Sequence, residues 1–262
     1  MTTVTVSRDL DRVLRALRLG QMARTLPERA VLAKQQHQSH LGFLEVVLSD
    51  EVARRDTKSA SERARKAGLD RHMRLEAWEE LSDITYDRTL WSDLVKLDLA
   101  STACNIIVLG PVGVGKTHLA TALGHIAVRR RVATCFYRAD RLFNLFKAAR
   151  LDNTLEAEYR RLSTTKLLIV DDLALRAMDA TATNDFYELV VGRHQRYPTI
   201  WTSNRDPAEW IGLMADTLLA QAAIDRVTAG AHVLIIDGPS YRQRGRRGQT
   251  RVVDTSGEDH HG

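Results

Sequence analysis

The sequence predicts an α/β fold: a parallel sheet with helices on both faces, preceded by a small helical domain. Three observations carry this. From about residue 105 onward, short apolar runs alternate with amphipathic helical patterns. One run, Ile106–Leu109, leads into Gly110-Pro-Val-Gly-Val-Gly-Lys-Thr117, which fits the phosphate-binding pattern G-x-x-x-x-G-K-[ST]. Residues 1 to about 75 read as helical, with apolar side chains at helical spacing.

In the helical part, Leu10, Val13, Leu14 and Leu17 stand at i, i+3, i+4 and i+7, the spacing of one buried face, and Leu41, Leu44, Val47 and Leu48 repeat it in a second helix that could continue through Val52. Neither Pro nor Gly occurs between Phe43 and Ala67, so that helix is expected to be long and to end near Gly68. A core this small is expected to pack its helices on each other or on a neighbouring subunit. From about Glu76 a connecting segment carries Trp78, Tyr86 and Trp91, expected to pack the core, with one of them a candidate for the base pocket. The strands expected next are Ile106–Leu109, Ala133–Tyr137, Leu167–Val170, Thr199–Thr202 and Val233–Ile236. Between them lie helical patterns at Lys116–Arg129, Asp140–Ala149, Ala182–Gln195 and Leu213–Ala223. Asp140 is the expected N-cap of its helix. The expected organisation is a basic helical domain over 1–75 that binds DNA or a partner, an ATPase core over 76–247, and a disordered tail over 248–262 rich in Gly, Ser, Thr, Asp and His.

The chemistry starts at the loop. Strand, glycine-rich turn and helix in that order let backbone N–H groups surround a polyphosphate at a positive helix N-terminus. Gly110, Pro111, Val112, Gly113, Val114, Gly115, Lys116, Thr117 and His118 are the expected nucleotide-binding residues. Lys116 would reach the β- and γ-phosphates, and Thr117 would offer its hydroxyl to Mg²⁺. Lys166-Leu-Leu-Ile-Val-Asp-Asp172 suits a strand buried on both faces, with its acids at the C-terminal edge where open α/β sheets bind ligands. Asp171 is the expected second magnesium-holding residue, through water, and Asp172 the group that orients the attacking water. The cofactors expected are therefore ATP and Mg²⁺.

Thr199-Ile-Trp-Thr-Ser-Asn204 is β-rich and ends on small polar residues. In this arrangement the chain resembles the additional-strand P-loop ATPases, which implies that Asn204, at the end of the strand between the other two, senses the γ-phosphate. Taken whole, the chain is similar to the IstB-like ATP-binding proteins, AAA+ helper subunits of insertion-sequence transposases related to DnaC-type helicase loaders. The likeness rests on GPVGVGKTHLATALG (110–124), LLIVDDLALRAMDATATNDFYELVVGRH (167–194), TSNRDPAEW (202–210), LLAQAAIDR (218–226) and GPSYRQR (238–244), and runs from about Leu10 to Arg244. The loop reads Pro-Val-Gly where many relatives have Pro-Pro-Gly or Pro-Thr-Gly, and Asp172 stands where many AAA+ ATPases place Glu. Only 26 residues follow Ile236, which implies a reduced AAA+ core without the full helical lid. The resemblance further implies an arginine finger at Arg226, completing the ATP site of an adjacent subunit in a head-to-tail homo-oligomer. It also implies a late arginine, Arg242, that senses nucleotide or contacts DNA.

Composition agrees with this class. The chain has 262 residues, 44% hydrophobic and 27% charged, enough for one substantial α/β core plus a small extra domain. Its two cysteines, Cys104 and Cys135, have no metal-ligand spacing and read as buried thiols in a reducing cytoplasm. No signal pattern and no apolar run of membrane-spanning length appear, so a cytoplasmic location without membrane contact is expected. The formal charge is +5, and the first 75 residues hold 15 Lys/Arg against 9 Asp/Glu, which leaves the remainder slightly acidic. Arg54, Arg55, Lys58, Arg63, Arg65, Lys66, Arg71 and Arg74 crowd one stretch, and Arg242, Arg244, Arg246, Arg247 and Arg251 another. Such runs outside the ATPase core suit phosphate contact with double-stranded DNA, without base readout. The expected function is an ATP-dependent helper that oligomerises on DNA and recruits or stimulates a transposase subunit, hydrolysis resetting the assembly. The alternatives are a helicase loader and an ATP-gated scaffold with negligible hydrolysis. The absence of an Asn-Lys-x-Asp motif disfavours a GTPase.

Overall fold

Ser7 opens the first helix: its hydroxyl accepts from the Leu10 N–H at 3.2 Å and caps α1 (Arg8–Ala16). After a single 3₁₀ turn, Pro27 stands in the first turn of α2 (Leu26–Gln35), and α3 (His40–Lys66) follows. Gly68, at φ +79°, takes the left-handed conformation that stops α3, and the Leu69 N–H returns to the Ala64 carbonyl at 3.0 Å. The computed structural model describes residues 5–78, 84–96 and 103–241. It divides the chain into two units, Met1–Arg63 and Ala64–Gly262.

In the first unit Leu14, Met22 and Val47 form the buried centre, with Leu19, Ala23, Leu26 and Phe43 against it. The expected apolar faces are only partly buried: Leu10, Val13, Leu17, Leu41, Leu44, Leu48 and Val52 are exposed. Two short helices against one long one, with a buried centre of three residues, do not enclose a full helix face.

The border lies at Arg63/Ala64 rather than near 75. Ala64, Ala67 and Leu69 belong to the core of the second unit. Residues 64–78 are held there by backbone bonds that no hydrophobic period announces. The Phe136 N–H donates to the Ala67 carbonyl at 2.7 Å, and two histidines bond the carbonyls of Asp70 and Arg74.

In the second unit α4 (Arg88–Lys96) precedes a sheet built from β1 (Ile106–Leu109), β2 (Thr134–Arg138), β3 (Leu167–Asp171), β4 (Thr199–Ser203) and β5 (His232–Ile235). The order is β2-β3-β4-β1-β5, every pair parallel. The helices are α5 (Lys116–Arg129), α6 (Ala139–Leu151), α7 (Leu155–Thr164), α8 (Ala180–Arg193), the single turn α9 (Pro207–Trp210) and α10 (Thr217–Thr228). The pleat sorts the strand residues. Ile106, Val108, Ile169 and Ile200 pack under α4 and α5 on one face; Ile107, Leu109, Leu168, Val170 and Trp201 pack under α6, α8 and α10 on the other.

Asp140 does not cap α6. The strand β2 runs straight into the helix at Ala139, so Asp140 falls inside the first turn, where it accepts from the Arg141 N–H. Side-chain caps come from Asp87 for α4, Asp179 for α8, Asp206 for α9 and Asp216 for α10; the last moves the start of α10 to Thr217, past the expected Leu213. Cys104, just ahead of β1, is exposed and Cys135 is half-buried, so neither is the buried thiol expected. Arg242 and the tail 248–262 lie outside the described residues. No helix among the described residues is long and apolar enough to cross a membrane.

Candidate nucleotide-binding site

All five strands are parallel, so the C-terminal ends of β1, β3 and β4 meet at one edge of the sheet and deliver the loop after Leu109, the acids after Val170 and the polar residues after Trp201 to the same place. The loop wraps the N-terminus of α5. Gly110, at φ +151°, approaches the Ile236 carbonyl so closely that a Cβ would stand 2.1 Å from its oxygen. Gly115, at φ +109°, packs beneath Trp78, whose Cη2 would be 2.4 Å from a Cβ. Lys116 is buried, and its ammonium donates to the Gly110 and Pro111 carbonyls at 2.8 and 2.7 Å. Val112 is exposed beside the loop, whereas Val114 is fully buried and serves the core.

Thr117 and Asp171 are brought together. The Thr117 hydroxyl lies 2.9 and 3.1 Å from the two carboxylate oxygens of Asp171. Thr202, on β4, donates to Asp171 Oδ1 at 2.6 Å, and its own oxygen accepts the Asp172 N–H at 2.9 Å. Burial pushes the Asp171 carboxyl above the usual carboxylate range, against the hydrogen bonds from Thr202 and Thr117 that favour its ionised form. A buried carboxylate beside a loop hydroxyl is the donor set that a hard divalent cation takes, so Thr117 and Asp171 fit magnesium. Asp172 has a left-handed backbone, φ +58°, and its side chain leaves Asp171 to pair with Arg138 at 3.1 Å.

A cavity of about 510 Å³ joins these groups. Gly113, Gly115, Lys116, Thr117 and His118 line it from the loop, Arg138, Asp172 and Asn204 from the strand ends, and Asp70, Met73, Ala77, Trp78 and Tyr241 from the remaining side. His118 faces Trp78, with ring centroids 5.1 Å apart, and bonds the Arg74 carbonyl at 2.9 Å. One turn pair further along α5, buried His125 bonds the Asp70 carbonyl at 2.8 Å; burial lowers its pKa and favours the neutral ring. Of the three aromatics in the connecting segment, Trp91 is buried in the core and Tyr86 packs against it, while Trp78 lines the cavity with its indole Nε1 buried and unpaired.

Arg226 is not part of this cluster. It sits on α10 near Asn105 and Thr199, at the N-terminal ends of β1 and β4. Its guanidinium donates to the Ala222 carbonyl and lies 6.0 Å from the Tyr187 ring centroid. Sequence reasoning missed Arg138, Thr202 and residues 70–77 as parts of the site, while Trp78 was among the three aromatics considered for the base pocket. Thr202 was legible, two residues before Asn204 on the same strand; Arg138 carried no local signal.

The sequence profile of the IstB-like ATP binding protein family matches residues 12–249. An ATP-binding protein of an insertion sequence from Mycobacterium tuberculosis is 34% identical over 242 residues, covering 92% of this chain and 96% of its own length. An insertion sequence IS21 ATP-binding protein from Pseudomonas aeruginosa is 30% identical, covering 91% and 90%. Among solved structures, DnaI superposes with a TM-score of 0.54 at 20% identity, covering 64% of this chain and 94% of DnaI. AMPPCP-bound DnaA from Aquifex aeolicus gives a TM-score of 0.53 at 21% identity, covering 69% and 55%. These similarities place the sheet and its helices in the AAA+ fold.

Proposed function

This chain belongs to the IstB-like ATP-binding protein family, and from that premise we propose that it is an ATP-hydrolysing helper that assembles on DNA and engages a transposase. The observation that carries the reading is the convergence of Lys116, Thr117, Asp172 and Asn204 on one cavity, with Asp171 in direct contact with Thr117 behind it. In this reading the loop N–H groups and Lys116 hold the phosphates of ATP, the lysine exchanging its carbonyl partners for phosphate oxygens. Thr117 and Asp171 hold Mg²⁺, which when bound neutralises charge on the terminal phosphates. Asp172 orients the attacking water and Asn204 reports on the γ-phosphate.

For DNA, exposed cations support phosphate contact in each unit: Lys58 in the first, and Arg65 and Lys66 at the start of the second. Arg54 and Arg55 are less available, since both pair with the buried Glu51 carboxylate at 2.7 Å. Their hydrogen bonds, Arg54 first, hold Glu51 down at about 2 in spite of its burial. The relatives' names place them in insertion sequences, which supports a transposase as the partner. The test is nucleotide titration and steady-state hydrolysis with and without duplex DNA. Lys116→Ala is expected to lose nucleotide affinity by tenfold or more, roughly the worth of a charge-assisted contact. Asp172→Asn is expected to bind ATP and remain on DNA with hydrolysis reduced. Unchanged affinity in the first variant, or the parent rate in the second, overturns these assignments.

A further inference from the structure

Arg138 closes β2 in register with Asp171, so it reaches the sheet edge where the acids stand. Its guanidinium lies 3.1 Å from Asp172 Oδ2 and 3.6 Å from Asp140 Oδ1, and half of its side chain is exposed. Lys116 and Arg138 are the two Lys/Arg side chains lining the cavity among the described residues. They differ in setting: Lys116 is buried under the loop, while Arg138 lines the cavity from the end of β2, paired with Asp172. A guanidinium has five donors in a fixed fork and binds phosphate oxygens in the same geometry as a carboxylate. A terminal phosphate carries more charge than one carboxylate, so the two anions compete for this cation unequally.

We propose that Arg138 is the in-chain γ-phosphate-binding residue, paired with Asp172 when the nucleotide is ADP or absent and transferred to the terminal phosphate when it is ATP. The exchange leaves the Asp172 carboxylate without its cation at the moment a γ-phosphate is present. Arg138 thereby ties the charge state around Asp172 to the identity of the nucleotide, within one subunit. The assignment rests on the reading that this cavity takes ATP.

The experiment measures affinities for a non-hydrolysable ATP analogue and for ADP by competition against a fluorescent ADP, in the full chain with Mg²⁺. Parent, Arg138→Ala, Arg138→Lys, Asp172→Asn and the Arg138→Ala/Asp172→Asn pair are compared. Arg138→Ala is expected to weaken the ATP analogue about tenfold, the loss of one charge-assisted contact, and to leave ADP affinity near the parent's. Arg138→Lys keeps the charge and should recover part of the loss. Asp172→Asn releases the guanidinium and should tighten the analogue in the parent background but not in the Arg138→Ala background. Equal changes for both nucleotides, no change, or an Asp172→Asn effect that persists without Arg138 overturns the proposal. A parent that binds both nucleotides while the variants fail this pattern loses only the Arg138 assignment. A parent that binds neither loses the ATP reading itself. Because half of the Arg138 side chain is exposed, all variants should melt with the parent.

Discussion

Arg193 shows how much of the fold can hang on one residue. It is 2% exposed, yet its guanidinium donates to Thr199 Oγ1 at 2.8 Å, Pro198 O at 2.6 Å, Thr165 O at 2.8 Å and the Leu162 carbonyl. It thereby joins the end of α8 to the turn after α7 and the start of β4. Burial pushes its pKa down to about 10, so it remains charged at neutral pH. Arg193→Met keeps the bulk but leaves those acceptors unsatisfied, and should cost about 3 kcal/mol or more. A denaturant midpoint equal to the parent's would show the network to be dispensable. In the sequence, Arg193 looks like any basic residue near a helix end, because residue type does not report burial. The phosphate loop was legible for the opposite reason: its fixed residues are neighbours in sequence, and Asp171 and Asp172 adjoin a recognisable strand. The cavity also needs Arg138 from β2, Thr202 from β4 and Trp78 from before the sheet, and those meet only once the chain is folded.

At the scale of elements, strands were the most legible, since five apolar runs of strand length sit between helical patterns and each was expected to within a residue or so of its observed ends. Helix α7 was not anticipated, and residues 64–75 were assigned to the helical domain instead of the second unit. That segment is attached through His118 and His125, seven residues apart on α5, which bond backbone carbonyls of Arg74 and Asp70. Carbonyls exist at every position, so no side-chain pattern marks the ones that are used. The attachment makes the two borders experimentally distinct. A chain starting at Ala64 should keep nucleotide affinity and show a shallower dependence of DNA binding on salt, since each lost phosphate contact removes about 0.9 from the slope. A chain starting at Glu76 also loses the buried Ala64, Ala67 and Leu69 and the Asp70 and Met73 wall of the cavity. It should lose nucleotide binding as well. Equal affinity in the two truncations would mean that residues 64–75 contribute nothing to the site.

At the scale of the whole molecule, Arg226 stands apart from the phosphate loop. The phosphate loop follows the C-terminal end of β1, whereas Arg226 sits by the N-terminal ends of β1 and β4. At about 3.3 Å per residue, the four residues of β1 alone separate the two by roughly 13 Å. If Arg226 is the finger that the resemblance implies, it would act on another subunit, and repeated head-to-tail contacts of that kind build rings or filaments. The family resemblance pointed to this residue; the fold adds the reason it cannot serve its own pocket. The most direct measurement is steady-state ATP hydrolysis of Arg226→Ala, Lys116→Ala and their mixture, with co-assembly on DNA verified. Arg226→Ala should bind ATP like the parent and fail to hydrolyse it, and Lys116→Ala should fail to bind. Mixed, they form junctions that pair an intact pocket with an intact finger, and activity should return in part. A co-assembled mixture that stays inactive, or an Arg226→Ala protein that hydrolyses at the parent rate, would contradict a site completed between subunits.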